Sequence, residues 1–191
     1  IIAAFDELGL MPGDHLVTML QNRWEAATIH WACQFSGVVI TPINWRSKDD
    51  EVDYYLENAE AKAIVFEDVS AEATRASSIA KTRTRIALDS AQHGEISFPT
   101  LLTREASPAE PRVGADSWSI MLYTSGTTAK PKGVPRRQRA ERAAAVAHVA
   151  QNMYANGERT LGVMPLYHTM GVRSLLAMSL IGGTFVCLPR F

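Results

Sequence analysis

Short apolar runs alternate with stretches of helical periodicity along the first half of the chain. The apolar runs span residues 16–20, 38–40, 63–66 and 85–89. The intervening stretches, near 25–35, after Ser47 and over 71–80, are compatible with amphipathic helices. Strands that alternate with helices pair side by side in one direction, because each helix carries the chain back to the starting edge of the sheet. The pattern predicts an α/β protein with mostly parallel sheets and helices on both faces.

Ser47 is predicted to cap the second of these helices. Asp50 and Glu51 follow it, and acidic residues are favoured in the first turn of a helix. The residues at helical spacing that predict its buried face are Val52, Tyr55, Leu56 and Ala59.

The alternation resumes in the second half of the chain after a polar segment. Strands are predicted at 118–123, 160–164 and 184–188, and helices at 141–155 and 171–181. Residues 104–116 hold two prolines and Gly114 and show no apolar periodicity. We therefore predict a first α/β subdomain over residues 1–105, a linker loop over 106–116, and part of a second α/β subdomain over 117–191.

Charge and cysteine content narrow the class of protein. Nineteen basic and twenty acidic residues give a net charge of −1, so no overall field draws the chain to nucleic acid or to an anionic membrane. Cys33 and Cys187 lie in apolar stretches without metal-ligand spacing, which predicts buried thiols in a reducing compartment and a cytoplasmic protein. The apolar stretch 175–188 is interrupted by Ser179 and two glycines and is shorter than the ~20 residues of a membrane span, so we expect it in the core.

A polar loop follows the predicted strand at 118–123. It reads Thr124-Ser-Gly-Thr-Thr-Ala-Lys-Pro-Lys-Gly-Val134. Hydroxyl and amide groups donate to phosphate oxygens, and Lys130 and Lys132 add positive charge, so the loop suits a polyphosphate. It is not a Walker A loop, because Gly-Lys-Ser/Thr at the required spacing is missing. The alternative interpretation of such a segment is a flexible surface turn.

Together with Tyr123, the string Tyr-Thr-Ser-Gly-Thr-Thr-x-x-Pro-Lys-Gly closely resembles the phosphate-loop signature of the adenylate-forming (AMP-binding) superfamily, which includes acyl- and aryl-CoA synthetases. Two other segments support this resemblance. Met164-Pro-Leu-Tyr-His-Thr-Met-Gly171 resembles the second core motif of the superfamily, which lines the carboxylate site, and Gly37-Val-Val-Ile-Thr-Pro-Ile-Asn-Trp-Arg46 resembles its upstream Pro-Leu-Asn-Pro-Arg segment. The resemblance covers nearly the whole chain and implies part of the large N-terminal adenylation domain.

The resemblance implies a two-step reaction. A small-molecule carboxylate attacks the α-phosphorus of Mg-ATP to give an acyl adenylate and pyrophosphate, and the thiol of CoA then displaces AMP. ATP, Mg²⁺ and CoA are thus the implied cofactors and co-substrates, whereas the metal ligands and the oligomeric state stay unassigned.

The superfamily motifs also imply roles for individual residues. His168 is implied as the catalytic residue, beside the carboxylate and acyl pocket. The residues implied to hold the ATP phosphates are Thr124, Ser125, Gly126, Thr127, Thr128, Lys130 and Lys132. The residues implied to shape the substrate pocket are Tyr167, His168, Thr169, Met170 and Gly171.

The chain departs from the superfamily pattern at two positions and lacks its later signatures. Ala129 stands where the pattern usually has Gly, and a positive φ there would cost ~1–2 kcal/mol of strain. Gln138 stands where it usually has His. The Tyr-Gly-x-Thr-Glu segment with its Mg-binding glutamate, the ribose-binding Asp, the hinge and the late catalytic Lys are absent from these 191 residues. We therefore expect an incomplete N-terminal portion of the enzyme that is inactive alone.

Three alternatives remain open. In the first, the adenylate passes to oxygen, an amine or a carrier-protein thiol rather than to CoA. In the second, the chain is a shortened, inactive homologue. In the third, the basic run at 130–142 is a nucleic-acid-binding patch, although no recognised nucleic-acid module or aromatic stacking set accompanies it.

Overall fold

The structure is a computed structural model, and it describes residues 1–103, 105, 108–124 and 130–190. Within these residues, seven strands form one sheet in the order β5-β4-β3-β1-β2-β6-β7, and two further strands, β8 and β9, pair with each other. Neighbouring strands are parallel except β6 and β7, which are antiparallel. The strands are β1 His15–Met19, β2 Val39–Pro42, β3 Ala63–Phe66, β4 Thr84–Ala87, β5 Ile96–Ser97, β6 Trp118–Thr124, β7 Lys132–Arg137, β8 Arg159–Gly162 and β9 Thr184–Cys187.

Helices connect most of the strands, and in the described part of the chain none is long and apolar enough to cross a membrane. The helices are α1 Ile2–Glu7, α2 Trp24–Ser36, α3 Asp49–Asn58, α4 Asp68–Ala76, α5 Phe98–Leu102, α6 Gln138–Asn152 and α7 Thr169–Leu180, with a 3₁₀ turn at Ala80–Thr82.

Side chains of the central strands pack alternately on the two faces of the large sheet. Ala63 and Val65 of β3 belong to the buried cluster that includes Ile29 of α2. Ile64, between them, points to the opposite face and belongs to the cluster that includes Leu56 of α3. This alternation confirms the predicted α/β architecture with helices on both faces.

The amino end of α3 differs from the prediction. Lys48, not Ser47, is the N-cap residue, so the prediction for Ser47 was wrong. The Glu51 carboxylate accepts a hydrogen bond of 2.9 Å from the Lys48 amide, which satisfies one backbone donor at the helix start. Ser47 lies one residue before the cap and is buried.

The helix predicted at 71–80 is shifted toward the amino end, because Asp53 holds the chain that follows it. The helix spans Asp68–Ala76. The Asp53 carboxylate accepts hydrogen bonds from the Ser78 hydroxyl at 2.6 Å and from the Ile79 amide at 2.9 Å. These bonds turn the backbone away from the helix axis.

The last three residues of the predicted polar loop belong to a strand. Residues 132–134 belong to β7, which pairs antiparallel with β6, so their assignment to the loop was wrong. Pro135 is tolerated in β7, because an edge strand is paired on one side only. The short elements α1, β5 and α5 were not predicted either.

The predicted linker does not coincide with a break in the large sheet. Ile40 of β2 pairs with Ile120 of β6, so strands from both sides of residues 106–116 lie next to each other. The Arg112 amide donates to the Phe35 carbonyl at 2.9 Å, and the Arg112 side chain pairs with Asp6. The division of the chain into two subdomains stays a prediction.

The two cysteines occupy different environments. Cys33 is buried, as predicted, and burial raises the pKa of its thiol. Cys187 lies at the end of β9 and is half-buried, so the prediction of a buried thiol was wrong there. A strand of a two-stranded sheet has fewer covering side chains than a central strand of the large sheet.

Candidate functional site

The polar loop connects two paired strands. We call β6, residues 125–131 and β7 the phosphate hairpin. Thr124 is paired with Lys132 across the hairpin at the carboxyl end of β6, and both residues are exposed. Lys130 is exposed as well. Ser125, Gly126, Thr127 and Thr128, which were predicted to hold phosphates, and Ala129 lie outside the described residues.

The phosphate hairpin is fastened to α3 by tyrosines. The Tyr54 hydroxyl donates to the Pro131 carbonyl at 2.6 Å, and the Tyr123 hydroxyl donates to Asn58 Oδ1 at 2.8 Å. The Lys130 ammonium lies 5.1 Å from the centre of the Tyr54 ring, within cation–π range. Tyr54 was not predicted to take part, and helical spacing gives no signal for it, because it lies off the buried face of α3.

The second candidate segment, residues 164–171, is called the His168 segment. His168 is exposed and is the N-cap residue of α7, where its Nδ1 accepts a hydrogen bond of 3.4 Å from the Met170 amide. Tyr167 and Thr169 are half-buried. Gly171 is buried against its own segment, and a Cβ there would lie 2.1 Å from the Pro165 carbonyl oxygen, so the turn requires glycine.

Asn22 anchors the His168 segment to the large sheet. Its side-chain NH₂ donates to the carbonyls of Gly162 at 2.8 Å and Met164 at 2.9 Å. Its Oδ1 accepts from the Leu166 amide at 2.9 Å. Asn22 is buried and follows β1, so it fixes the turn before His168 relative to the ends of the parallel strands. A polar residue after a strand is common in loops, and the sequence therefore gave no sign of this role.

A buried charge pair connects the phosphate hairpin to both following helices. Arg136 Nε lies 2.5 Å from Glu141 Oε1, and Arg136 Nη1 donates to the Thr169 hydroxyl at 3.4 Å. Glu141 is only 3% exposed, and burial raises the pKa of its carboxyl despite the opposing effect of Arg136 and Arg173. Arg136 therefore links β7, α6 and the first residue of α7.

Three acidic side chains near the carboxyl ends of the parallel strands form ion pairs with Arg23. Its guanidinium lies 2.9 Å from Glu25, 3.1 Å from Glu67 and 3.0 Å from Asp89. Burial opposes the charge of Arg23, but the hydrogen bonds that its guanidinium donates to these carboxylates outweigh burial and raise its pKa. Among the residues that the structure describes, no group of three or more His, Cys, Asp or Glu side chains is arranged to hold a metal ion.

An apolar cavity of about 590 Å³ lies at the other end of β6. Gln138 lines it together with Trp31 and Leu176. Because Trp118 pairs with Arg137, Gln138 is next to the amino end of β6, roughly 20 Å along the strand from Thr124. The departure at Gln138 is therefore remote from the phosphate loop.

The sequence matches the family described as AMP-binding enzyme over residues 1–191. The chain belongs to the AMP-binding enzyme family. This confirms the superfamily predicted from the phosphate loop.

Curated relatives in the AMP-binding family are CoA ligases. The chain is 31% identical over 174 residues to indoleacetate–CoA ligase of Aromatoleum aromaticum. The matched region covers 89% of the chain and 34% of that protein. It is 27% identical to malonate–CoA ligase ACSF3 of Mus musculus, over 97% of the chain and 31% of that protein. The chain spans about a third of the length of these relatives.

Solved structures of the family share the fold. The inhibitor-bound N-terminal domain of FACL13 from Mycobacterium tuberculosis superposes with a TM-score of 0.87 at 25% identity, over 100% of this chain and 48% of that chain. A Mycobacterium tuberculosis fatty acyl CoA synthetase gives the same TM-score and identity over 37% of that chain. The architecture is thus that of the N-terminal domain of acyl-CoA synthetases.

Proposed function

We propose that this chain supplies the ATP-phosphate loop and part of the carboxylate pocket of an AMP-forming acyl-CoA ligase. In the first step a carboxylate oxygen attacks the α-phosphorus of ATP, and pyrophosphate leaves. In the second step the CoA thiol attacks the acyl carbon, and AMP leaves. The observation that carries the proposal is the phosphate hairpin itself, with Thr124 paired with Lys132 beside the loop, in a chain that matches the AMP-binding family over its whole length.

The phosphate hairpin has the chemistry to offset the charge of the first step. An anionic carboxylate must approach a polyanion, so donors and cations near the leaving pyrophosphate lower the barrier. We assign this role to the hydroxyls and amides of Thr124, Ser125, Gly126, Thr127 and Thr128, with Lys132 and secondarily Lys130 as cations. The exposure of Thr124, Lys130 and Lys132 supports this assignment.

The His168 segment is proposed to form a wall of the carboxylate pocket. His168 and Met170 are exposed, so both are free to meet a ligand, whereas the buried Gly171 keeps the turn tight. We assign His168 the position beside the reacting carboxylate and Tyr167, Thr169 and Met170 the shaping of the pocket. The fixed backbone around Asn22 supports this role, because a pocket wall must be held in place before substrate binds.

CoA is the proposed acceptor because the curated relatives are named as CoA ligases, including one for indoleacetate and one for malonate. These names differ in the acid, so the acid here is proposed only as a small-molecule carboxylate. Mg²⁺ is proposed to enter with ATP, because phosphate oxygens are ligands that Mg²⁺ prefers. A cytoplasmic location is proposed from the two free cysteines.

Contacts in the basic run argue against a nucleic-acid patch. Arg136 is paired with Glu141, the Arg137 guanidinium lies 4.4 Å from the centre of the Trp118 ring, and Arg139 lies 3.0 Å from Asp116. Arg136 and Arg139 thus lie beside carboxylates, which offset part of the positive charge that a nucleic-acid patch would need. Adenylation with an acceptor other than CoA is the stronger second candidate.

The acceptor is tested by AMP release from the full-length protein with ATP and a panel of carboxylates, with and without CoA. We expect AMP and an acyl thioester to appear together only when CoA is present. If the rate of AMP release does not respond to CoA but does respond to an amine or a carrier-protein thiol, that compound and not CoA is the acceptor.

A further inference from the structure

Three elements meet at a single guanidinium on the inner side of β7. Arg136 is 18% exposed in its side chain, contacts Glu141 in the first turn of α6, and donates to Thr169, the first residue of α7. The positive end of the α6 dipole stabilises the Glu141 carboxylate, but the side chain is buried away from water. Cations must therefore remain beside it, since a buried carboxylate without a partner is strongly unfavourable, and Arg136 and Arg173 of α7 both act on it.

Thr169 is adjacent to His168, so the contact with Arg136 reaches the proposed carboxylate wall directly. Asn22 holds the turn on the amino side of His168, through Met164 and Leu166. Arg136 holds the carboxyl side, through Thr169. The exposed imidazole thus stands between two fixed points, one from the end of β1 and one from the strand that leaves the phosphate loop.

Arg137, the next residue along β7, provides a contrast. Successive residues of a strand point to opposite faces, and the Arg137 guanidinium packs over Trp118 and donates to the Asp116 carbonyl instead of contacting α6 or α7. Its charge and its place in β7 match those of Arg136, but its contacts do not reach the His168 segment. The contact with the His168 segment therefore depends on the position of Arg136 in β7. A basic side chain elsewhere in β7 does not make it.

We propose that Arg136 is a positioning residue, held by Glu141, that fixes Thr169 and thereby His168 relative to the phosphate hairpin. The inference rests on the proposed function, because the contact between Arg136 and Thr169 is taken to align the bound carboxylate with ATP. Reacting groups must be held close to their attack geometry, and a small displacement lowers the rate strongly. The phosphate hairpin keeps its own contacts through β6 and Tyr54, so loss of Arg136 affects the carboxylate side and spares ATP.

The kinetic test compares Arg136→Met with Arg137→Met in the full-length protein. We expect Arg136→Met to lower kcat/KM for the carboxylate about tenfold, with a fall in kcat, and to leave the ATP KM unchanged, as for the loss of one charge-assisted contact that positions the reacting groups. Arg137→Met should leave these values as in the wild type. Glu141→Gln should act in the same direction, and adding it to Arg136→Met should cause little further loss, because both changes break one connection.

A spectroscopic test does not depend on turnover. In the full-length protein labelled at histidine, we expect Arg136→Met to shift the ¹⁵N-imidazole resonances of His168, and Arg137→Met to leave them in place. Thr169→Val removes only the accepting hydroxyl and should reproduce the shift, so it carries the test if Arg136→Met does not fold.

The outcomes separate the two proposals. Unchanged His168 resonances in Thr169→Val and Arg136→Met, or equal changes in Arg137→Met, would overturn the positioning role. A wild-type protein without carboxylate-dependent turnover would refute the proposed function, while the His168 resonances would still decide whether Arg136 positions this segment.

Discussion

The Tyr54 hydroxyl donates a hydrogen bond of 2.6 Å to the carbonyl of Pro131, 77 residues along the chain. This bond joins α3 to the exit of the phosphate loop. It satisfies a carbonyl that stands outside the pairing of β6 and β7, which begins at Lys132. The loop exit at Pro131 is therefore held by α3 as well as by the pairing of β6 and β7.

Replacing Tyr54 by Phe should weaken ATP binding about three- to tenfold, because loss of one hydrogen bond of about 1 kcal/mol loosens the loop exit. Isothermal titration with ATP measures the effect. Tyr154→Phe is the matched control, since Tyr154 packs against His148 away from the hairpin. Equal affinities in wild type and Tyr54→Phe would show that the exit needs no support from α3.

Asn22→Ala should lower the free energy of unfolding by about 2–4 kcal/mol, because three buried backbone groups lose their partner. Urea denaturation measures the change. Asn44→Ala removes an exposed asparagine whose side chain accepts from the Arg46 amide, and we expect it to cost well under half as much. Similar losses in the two variants would contradict the anchoring role of Asn22.

Gly171→Ala should destabilise the chain by about 3 kcal/mol, since the added methyl would overlap the carbonyl oxygens of Pro165 and Met164. Gly114→Ala is the control, because a Cβ there meets no atom within 4 Å. Thermal unfolding of both variants gives the comparison. A wild-type melting temperature for Gly171→Ala would mean that the turn before α7 relaxes without cost.

His30 should make stability fall as the pH is lowered from about 6.5 to 4. Burial lowers its pKa from 6.5 to about 4, so the unfolded chain takes up a proton in this range and the folded chain does not. The loss amounts to about 3 kcal/mol when complete. Urea denaturation measures the free energy of unfolding of the wild type and of His30→Met across pH 4–7. The part of the difference between the two proteins that changes with pH is the contribution of His30.

Ile29→Val is the control for His30. It removes a methyl from a neighbouring buried side chain and should cost about 1 kcal/mol equally at each pH. The interpretation fails if His30→Met and wild type lose stability in parallel from pH 6.5 to 4.

The sequence predicted best those elements whose stability comes from burial of their own side chains. Residues 63–66 are apolar and fully buried, and the predicted strand has the bounds of β3. β7 is rich in basic residues and contains Pro135, and pairing with β6 makes it a strand. No local sequence pattern predicts a strand of this kind, since the hydrogen bonds that stabilise it come from pairing with β6.

The candidate site divides in the same way. The residue string around Lys132 and His168 led to the AMP-binding family, because the chemistry of a phosphate loop requires particular side chains in a fixed order. Tyr54, Asn22 and Arg136 act through contacts with residues distant in sequence, from 33 to 144 positions away. Such contacts follow from the fold and could not be predicted from spacing.

Carboxylate-dependent exchange of pyrophosphate into ATP by the full-length protein tests the central claim most directly, because it reports formation of the acyl adenylate alone. We expect exchange that requires the acid and that falls about 10²- to 10³-fold in Lys132→Ala. Lys62→Ala, which changes an exposed lysine paired with Asp14, should retain wild-type exchange. Exchange that is independent of added acid, or undiminished in Lys132→Ala, would contradict the assignment of the phosphate hairpin.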